Sequence, residues 1–450
     1  MIAPFSAPPA NRQNSDPSTT NGPTPILPAG TFSLFALITG LFFLWGMPNN
    51  LNDILIRQFM KSFVISRFQA GLVQSAFYLG YFLLALPAGF LMNRFGYKSG
   101  LLTGLLLFAT GCFLFYPAAL VGRYDFFLAA LFVVASGLAF LETASNPFIA
   151  QLGPTATSEQ RLNLAQAFNP LGSITGVLIG TVFIFSGIEL TPTQVRSMQS
   201  AGTYAPYLHS EVLRTVTPYL VLGAIALLWA AMIAFRRFPA FVHAREHNSE
   251  TNGRWQNLLH KPHFLFAVLA EFLYVGAQVG TWSFFIQYAQ DYGHRTEKGA
   301  GFLLTGTLVA FALGRFAGAA LMRRIRPSRL MMGYAIVNIA LLALAVFHPG
   351  NFGVFAIFLT SFFMSVMFPT IFALGVKDLG PDTNIAGSLL VMSIVGGAIL
   401  TPCMGLIAEK FHSTATAYIV PLCGFVGVML YARFMQSYLA SRSSFSTFEI

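Results

Sequence analysis

Long apolar segments recur along this chain and constrain its fold more than any other feature. A helix that spans a lipid bilayer needs about 20 mostly apolar residues. Only 9% of the residues are charged, against about 25% in soluble domains, so the chain cannot cover a surface that faces water. We therefore predict an all-α membrane protein in contact with a lipid bilayer. Its twelve predicted spans are 31–59, 68–94, 97–119, 124–152, 159–188, 214–237, 263–292, 297–323, 328–348, 351–378, 384–409 and 415–440.

A polar segment at 238–262 divides these spans into six and six. We predict a tail at 1–30, an N-terminal half at 31–237, a linker at 238–262, a C-terminal half at 263–440 and a tail at 441–450. The first tail is rich in proline and has no apolar core of signal-peptide length, so we predict that it is disordered. Lys and Arg are more frequent in the loops on the side of both termini, which predicts that both termini are cytoplasmic.

Several other function classes are excluded by what the sequence lacks. The net charge is +10, but no cluster of Lys and Arg with aromatic residues supports a nucleic-acid partner. Cys112, Cys403 and Cys423 form no C-x-x-C pair, so neither a disulfide framework nor a zinc site is predicted. The spans hold no His/Cys ligand set, nucleophile motif or phosphate loop. We expect no metal, no cofactor and no enzymatic activity.

The first span contains an unusual polar segment, WGMPNNLNDIL at 45–55. On a helix Trp45, Asn49, Asn52 and Asp53 share one face. A carboxylate at membrane depth costs about 2.5–3.5 kcal/mol and usually faces a cavity or the bundle interior. The face is therefore predicted to line a water-accessible path, unless Asp53 lies at the outer interface and only solvates the helix end.

The fourth span carries a second acid near its middle, in GLAFLETASNPF. Glu142 lies there, with Asn146 one turn further on. Such an acid is a functional candidate by default. The alternative is a structural ion pair, for example between Glu142 and Arg315.

Amides recur every three residues in the fifth span, at Asn163, Gln166 and Asn169. An amide offers both donors and acceptors, as sugar hydroxyls require. The same side chains can also join helices to one another, and both interpretations stay open.

Tyr274, Gln278 and Trp282 in the seventh span are spaced four residues apart. Such a face could stack on a sugar ring while the amide binds hydroxyls. A Tyr/Trp stripe in a membrane helix also serves in packing or at the interface. Glu271, one turn before, is a third candidate intramembrane acid, unless it lies near the inner face.

A weak internal repeat fits the division into six and six. Leu91-Met92-Asn93-Arg94 follows span 2, and Leu321-Met322-Arg323-Arg324 follows span 8. Two halves related by an axis along the membrane normal are the arrangement of major-facilitator transporters. The segment GFLMNRFGYK at 89–98 resembles the signature loop of that superfamily, with Asn93 where Asp is common.

Most of the chain, from about 34 to 437, resembles the bacterial L-fucose/proton symporter family of the major facilitator superfamily. The segments NNLNDIL, FQAGLVQSAFYLGYFLLALPAGFLMNRFGYKSG, GLAFLETASNPF, LGP, RLNLAQAFNPLGS, YVGAQVGTWS, FPTIFALGVKDLG and VGGAILTPCMG carry the resemblance. The resemblance implies a monomer with the major facilitator fold in the bacterial inner membrane, where a sugar and a proton are transported together.

The resemblance also implies roles for particular residues. Asp53 matches a first-helix carboxylate tied to sugar binding and coupling, and Glu142 matches the proton-carrying carboxylate. Gln166 and Asn169 match amides of the sugar cavity. Asn50 matches a polar cavity position, although helix geometry points it away from the Asp53 face, so a helix break near Pro48 is a further expectation. With these, Asn49, Asn146, Gln278 and Trp282 complete the predicted sugar site.

Four positions, at three places in the chain, depart from the family pattern. Met367-Phe368-Pro369 replaces Gln-Tyr-Pro, Glu271 stands where Gln is expected, and Gln287 stands where Arg is expected. The MFP segment resembles a related branch that carries glucose and galactose. We predict a proton-coupled symporter of L-fucose or a closely related neutral hexose, with a glucose/galactose transporter as the alternative. An exporter of the same fold and a non-transporting sugar sensor are two rival functions.

Overall fold

The computed structural model describes residues 25–65, 67–186, 190–238 and 255–445, and within these ranges the chain is helical. Helices suit a membrane interior because each satisfies its backbone hydrogen bonds internally. The helices, numbered in chain order, are α1 Phe32–Phe63, α2 Arg67–Val121, α3 Tyr124–Gln151, α4 Ser158–Gln166, α5 Asn169–Ile179, α6 Pro192–Ser200, α7 Tyr204–Leu213, α8 Val216–Phe235, α9 Trp255–Leu258, α10 Pro262–Ser283, α11 Phe285–Asp291, α12 Glu297–Leu321, α13 Pro327–Phe347, α14 Asn351–Met364, α15 Met367–Gly375, α16 Thr383–Met392, α17 Gly396–Phe411, α18 Thr414–Ala417 and α19 Ile419–Phe445.

Eleven helical stretches of the described chain are long and apolar enough to cross a membrane. One of them, Leu72–Val121, has 50 residues, which at 1.5 Å per residue is about 75 Å, more than twice the thickness of a bilayer core. Gly96 interrupts it with φ 80° and ψ 170°, a conformation open to glycine. This stretch therefore holds two crossings, and the structure agrees with the twelve predicted spans.

Five predicted spans are each built from two helices. The pairs are α4 and α5, α10 and α11, α14 and α15, α16 and α17, and α18 and α19. Pro170 and Pro369 lie just after two of these breaks, because a proline within a helix removes a hydrogen bond and disfavours helical geometry before it. The expected break near Pro48 is wrong, since α1 continues through that proline.

Two further helices, α6 and α7, lie between the fifth and sixth predicted spans, in a segment for which no helix was predicted. A capping box starts α6, in which Thr191 accepts from the backbone of Gln194 and the Gln194 side chain accepts from the Thr191 backbone. Such reciprocal bonds satisfy two free N–H groups at a helix start.

Large apolar side chains cover much of the outer surface. Phe235 is 90% exposed, Phe352 82% and Phe302 69%. On a water-soluble protein, extensive apolar exposure marks an interaction surface. Around a bundle of long apolar helices it fits contact with lipid.

A close contact between α1 and α5 rests on two glycines one turn apart. A Cβ on Gly172 would lie 2.0 Å from the backbone oxygen of Phe43, and one on Gly176 would lie 2.3 Å from that of Met47. Small residues four apart let two membrane helices approach until their backbones touch. This contact holds the polar segment of α1 against the amide-bearing fifth span.

The two halves of the bundle are joined near the loops 152–157 and 376–382, a region called the closed end below. Lys377 Nζ binds Glu159 Oε1 at 3.0 Å. Gln160 donates to the backbone oxygen of Ala319 at 2.9 Å. The side-chain amide of Asn163 donates to the hydroxyl of Thr370 at 3.0 Å. These polar contacts hold α4 against helices of the C-terminal half.

Candidate functional site

Arg315 lies at the centre of the site, on α12, and is 5% exposed. Its Nη1 donates to the backbone oxygen of Gln166 at 2.6 Å and to Gln166 Oε1 at 3.1 Å. Its Nε donates to the backbone oxygen of Ser365 at 3.0 Å. The guanidinium carbon also lies 4.7 Å from the centre of the Phe311 ring, within the range of a cation–π contact.

Both backbone oxygens that Arg315 binds lack their usual helical donor. In an α-helix the N–H of residue i bonds the carbonyl of residue i−4. Pro170 and Pro369 have no N–H, so the carbonyls of Gln166 and Ser365 are left for another donor. Arg315 supplies both bonds, and it thereby joins the break in the fifth span to the break in the tenth.

A chain of side chains leads from Arg315 towards Glu142. Gln166 Nε2 donates to Asn146 Oδ1 at 2.8 Å. The side chains of Asn146 and Tyr81 adjoin the Glu142 carboxyl, which is 9% exposed. A carboxyl of the N-terminal half thus lies near Asn146, which Gln166 joins to a cation of the C-terminal half. Asn146 Nδ2 itself makes no hydrogen bond to the described residues.

Arg315 donates its described hydrogen bonds to Gln166 and Ser365 rather than to Glu142. The electrostatic attraction between Arg315 and Glu142 remains. The ion pair suggested as an alternative for Glu142 is therefore not among the described contacts.

The other two amides of the fifth span join helices in this state. Asn163 donates to the backbone oxygen of Glu159 at 2.8 Å as well as to Thr370. Asn169 donates to the backbone oxygen of Phe42 on α1 at 3.2 Å and is half-buried. Of the two interpretations left open for these amides, the described contacts are those of helix joining.

The aromatic residues of α10 also hold helices together. The hydroxyl of Tyr274 donates to the backbone oxygen of Met364, the last residue of α14, at 3.0 Å. Trp282 Nε1 donates to the Ser361 hydroxyl at 3.0 Å. Gln278 lies between them, is half-buried, and makes no hydrogen bond to the residues that the structure describes. Its amide therefore stays available to a ligand.

The polar face of α1 is only partly described. Trp45 is 2% exposed and packs against Phe42, and Asn52 is 1% exposed. Neither faces water, contrary to the prediction for this face: periodicity indicates which residues share a face but not what packs against it. Both polar atoms of the Asn52 side chain, and Oδ1 of the half-buried Asn49, lack hydrogen-bond partners among the described residues. Asn50 and Asp53 lie within the helix, but their side chains are outside the described part.

Three features of this region were not predicted from the sequence. Arg315 received no functional role, Tyr81 was not considered, and the polar cluster of Gln58, Lys61 and Glu211 was not foreseen. In that cluster Glu211 Oε2 accepts from Gln58 at 2.9 Å and from Lys61 at 3.0 Å. A signal for Arg315 was present, because each proline inside a span indicates a free carbonyl four residues earlier.

Comparison with known proteins identifies the family. The model of the Major Facilitator Superfamily matches residues 29–384. The chain is 44% identical to the L-fucose-proton symporter of Escherichia coli (strain K12) over 405 residues, which is 89% of this chain and 92% of the relative. It is 34% identical to the glucose/galactose transporter of Brucella abortus biovar 1 (strain 9-941), covering 88% of this chain and 93% of the relative.

Solved structures give the same result. A crystal structure of FucP, a major facilitator transporter in the outward conformation, is similar with a TM-score of 0.82 at 43% identity, covering 89% of this chain and 98% of that one. The proton:xylose symporter XylE has a TM-score of 0.61 at 15% identity, covering 90% of this chain and 95% of that one, which shows the fold alone. The predicted fold of twelve spans in two six-helix halves is confirmed, and the relatives are membrane transporters rather than enzymes.

Proposed function

This chain belongs to the major facilitator superfamily, and from that premise we propose that it imports L-fucose, or a closely related neutral hexose, together with protons. The observation that carries the proposal is that Glu142 lies near Asn146, which is hydrogen-bonded to Gln166 and through it to Arg315. An acid able to bind a proton thus lies beside a network that reaches the contact between the two halves. Binding of a proton at Glu142 can thereby influence whether the halves stay together.

The identities of the relatives favour L-fucose over glucose and galactose. Over the aligned residues the chain is 44% identical to the L-fucose-proton symporter and 34% identical to the glucose/galactose transporter. The Met367-Phe368-Pro369 segment resembles the glucose/galactose branch, but it is a single site in the chain. The side chains of Met367 and Phe368 are buried, at 0% and 7% exposure, so this segment offers a ligand little contact in the described state.

Six polar residues and Trp282 are proposed to form the sugar site with Asp53. Gln278 and Asn49 have free polar atoms in the described part of the chain. Gln166, Asn146, Asn169 and Trp282 are bonded to protein groups in this state. We expect a sugar to exchange some of these bonds for its hydroxyls, with Asn50 and Asp53 contributing from α1.

Glu142 is proposed to carry the coupled proton. A carboxylate is costly at membrane depth, and protonation removes its charge. The neutral form crosses between the outward-open and inward-open states at lower cost than the charged form. Asp53 would accept sugar hydroxyls and make sugar binding sensitive to the state of Glu142, so that neither substrate crosses alone.

Transport then follows from rocking of the two halves around a site near the membrane midplane. The closed end carries the basic loop with Arg323, Arg324 and Arg326. The excess of basic residues on that side supports a cytoplasmic position for the closed end and both termini. The described state would then be open to the outside of a bacterial inner membrane, with the protein acting as a monomer.

Two rival functions predict different behaviour. An exporter of the same fold would use a more apolar cavity than one that holds Asn49, Gln278, Gln166 and Asn146. A sugar sensor would bind sugar without moving it. Both are tested by the same experiment, because neither predicts net uptake of sugar with protons.

The experiment is uptake into proteoliposomes that contain the purified full chain. L-fucose, D-galactose and D-glucose are added separately while the external pH is recorded. Alkalinisation on addition of one sugar identifies the substrate and establishes symport. Protein that binds sugar without proton movement or uptake would support the sensor, and extrusion of the sugar would support the exporter.

A further inference from the structure

Glu271 on α10 is a fully buried acid that lies outside the sugar site and the network of Gln166 and Asn146. It is 0% exposed, and neither of its carboxyl oxygens has a hydrogen-bond partner among the described residues. By contrast, the buried acids Glu159 and Glu211 form ion pairs with Lys377 and Lys61. A buried carboxylate without a partner is strongly disfavoured, so Glu271 requires either a proton or a cation.

Contacts on both sides of Glu271 show which way this face of α10 points. Ala267, one turn before, lies against Gly375 of α15. Tyr274, one turn after, binds the backbone oxygen of Met364 at the end of α14. Residues three and four apart share a helix face. Glu271 therefore faces the break between α14 and α15, where Arg315 binds Ser365.

The charged and titratable groups around Glu271 come from four helices. They are Tyr274 on its own helix, Tyr431 on α19, Arg315 on α12 and Glu142 on α3. Arg315 is the cation of this group, but its described hydrogen bonds go to Gln166 and Ser365. The Tyr431 hydroxyl, like Glu271, makes no hydrogen bond to the described residues.

We infer that Glu271 is a second proton-binding site of the transport cycle, an inference that rests on the proposed symport. In the described state Glu271 holds a proton. Gln166 and Arg315 belong to different halves, so separation of the halves at the closed end removes the bond between them. Glu271 and Arg315 belong to the same half and stay together.

The freed N–H groups of Arg315 then pair with Glu271. Pairing requires the carboxylate, so the O–H bond of Glu271 breaks and the proton passes to water on the newly opened side. No electrons are transferred in this step. Return of Arg315 to Gln166 leaves Glu271 unpaired again, and it takes up a proton from the other side. Each cycle thereby moves a proton in addition to the one on Glu142.

The test is the number of protons moved per sugar. Proteoliposomes are held at zero membrane potential with K⁺ and valinomycin, and a pH difference is imposed. The ratio of internal to external sugar concentration at which net sugar flux stops is measured at several pH differences. The logarithm of this concentration ratio is plotted against the pH difference. The slope of the plot is the number of protons coupled to each sugar.

Three variants decide the inference. Glu271→Gln mimics the protonated acid, so it should exchange sugar at equal pH while its slope falls by the equivalent of a single proton. Glu271→Asp keeps a titratable group and should keep the wild-type slope. Glu409→Gln removes an exposed acid and should also keep that slope.

An unchanged slope for Glu271→Gln, in protein that exchanges sugar normally, would overturn the second site and leave the symport proposal intact. A wild-type slope of zero would instead contradict the symport proposal itself. The two failures are thus distinguished by which protein shows them.

Discussion

Arg315 donates a 2.6 Å hydrogen bond to the backbone oxygen of Gln166, across the boundary between the two halves of the bundle. Pro170 has no N–H and leaves that oxygen without its helical donor, so Arg315 satisfies an acceptor that would otherwise be unpaired. The same guanidinium donates to the backbone oxygen of Ser365, which lacks its helical donor because of Pro369. A buried cation that binds two helix breaks at once is well placed to respond when the halves move.

Replacement of Arg315 by Lys should slow sugar exchange. Lysine keeps the charge but lacks the planar set of donors needed to reach both carbonyls. Loss of one charge-assisted bond costs about 1.5–3 kcal/mol, so we expect a decrease of about tenfold to hundredfold. The measurement is the initial rate of labelled L-fucose exchange in proteoliposomes. Arg123→Lys, at an exposed ion pair with Asp125, is the control, and equal rates for both variants would contradict the role of Arg315.

Glu142→Gln should separate exchange from accumulation. Glutamine resembles the protonated acid, so sugar still equilibrates across the membrane, but no proton is carried at this position. We expect labelled sugar to exchange while accumulation against a gradient falls below the wild-type level, because one of the two coupled protons is lost. The assays are counterflow and pH-driven uptake in the same vesicles. Accumulation at the wild-type level would show that Glu142 is not the coupling group.

Loss of the ion pair between Lys377 and Glu159 should open the closed end. The Glu159 side chain is 3% exposed and that of Lys377 18%, so the pair is partly desolvated and stabilises the state in which it forms. We expect Lys377→Gln to increase the population open at this end by about tenfold, which corresponds to about 1.4 kcal/mol.

Thiol labelling of a cysteine at position 319 measures this change, in a background with the three native cysteines replaced by serine. Ala319 is 4% exposed, so labelling requires opening. The exchanged pair Glu159→Lys with Lys377→Glu should restore slow labelling. Fast labelling of the exchanged pair would mean that the ion pair does not hold this end closed.

Gly172→Ala should destabilise the protein by forcing α1 and α5 apart. The added Cβ meets a backbone oxygen at 2.0 Å, which no side-chain movement can relieve. Overpacking of this kind costs about 1–3 kcal/mol. The midpoint of thermal unfolding in detergent should fall, whereas Gly301→Ala, with open space around it, should leave it unchanged or raise it. Equal midpoints would show that this close approach contributes no stability.

The number and order of the membrane crossings followed from the sequence because apolar length is a local property. The helix breaks were harder to predict. Ala167 and Phe168 separate α4 from α5, and Ser365 and Val366 separate α14 from α15. All four residues occur readily in helices, and only the prolines that follow them indicate the breaks.

The candidate site was predicted in part. Glu142, Asn146 and Gln166 were singled out, and the structure places them close together, with Gln166 hydrogen-bonded to Asn146. Their partner Arg315 was not, because helix periodicity relates residues of one helix and carries no information about the neighbouring helix. Trp45 and Asn52 show the same limit, since their shared face is covered by protein.

The bonds that Arg315 makes to backbone oxygens have a consequence for how such proteins diverge. Every amino acid carries a backbone carbonyl, so a change of side chain at position 166 or 365 still leaves Arg315 these two acceptors. Natural selection can act on those two bonds only through the arginine and through Pro170 and Pro369. A search for correlated substitutions should therefore find Arg315 changing together with the two prolines, and find no such correlation with position 365, where the arginine binds the backbone oxygen.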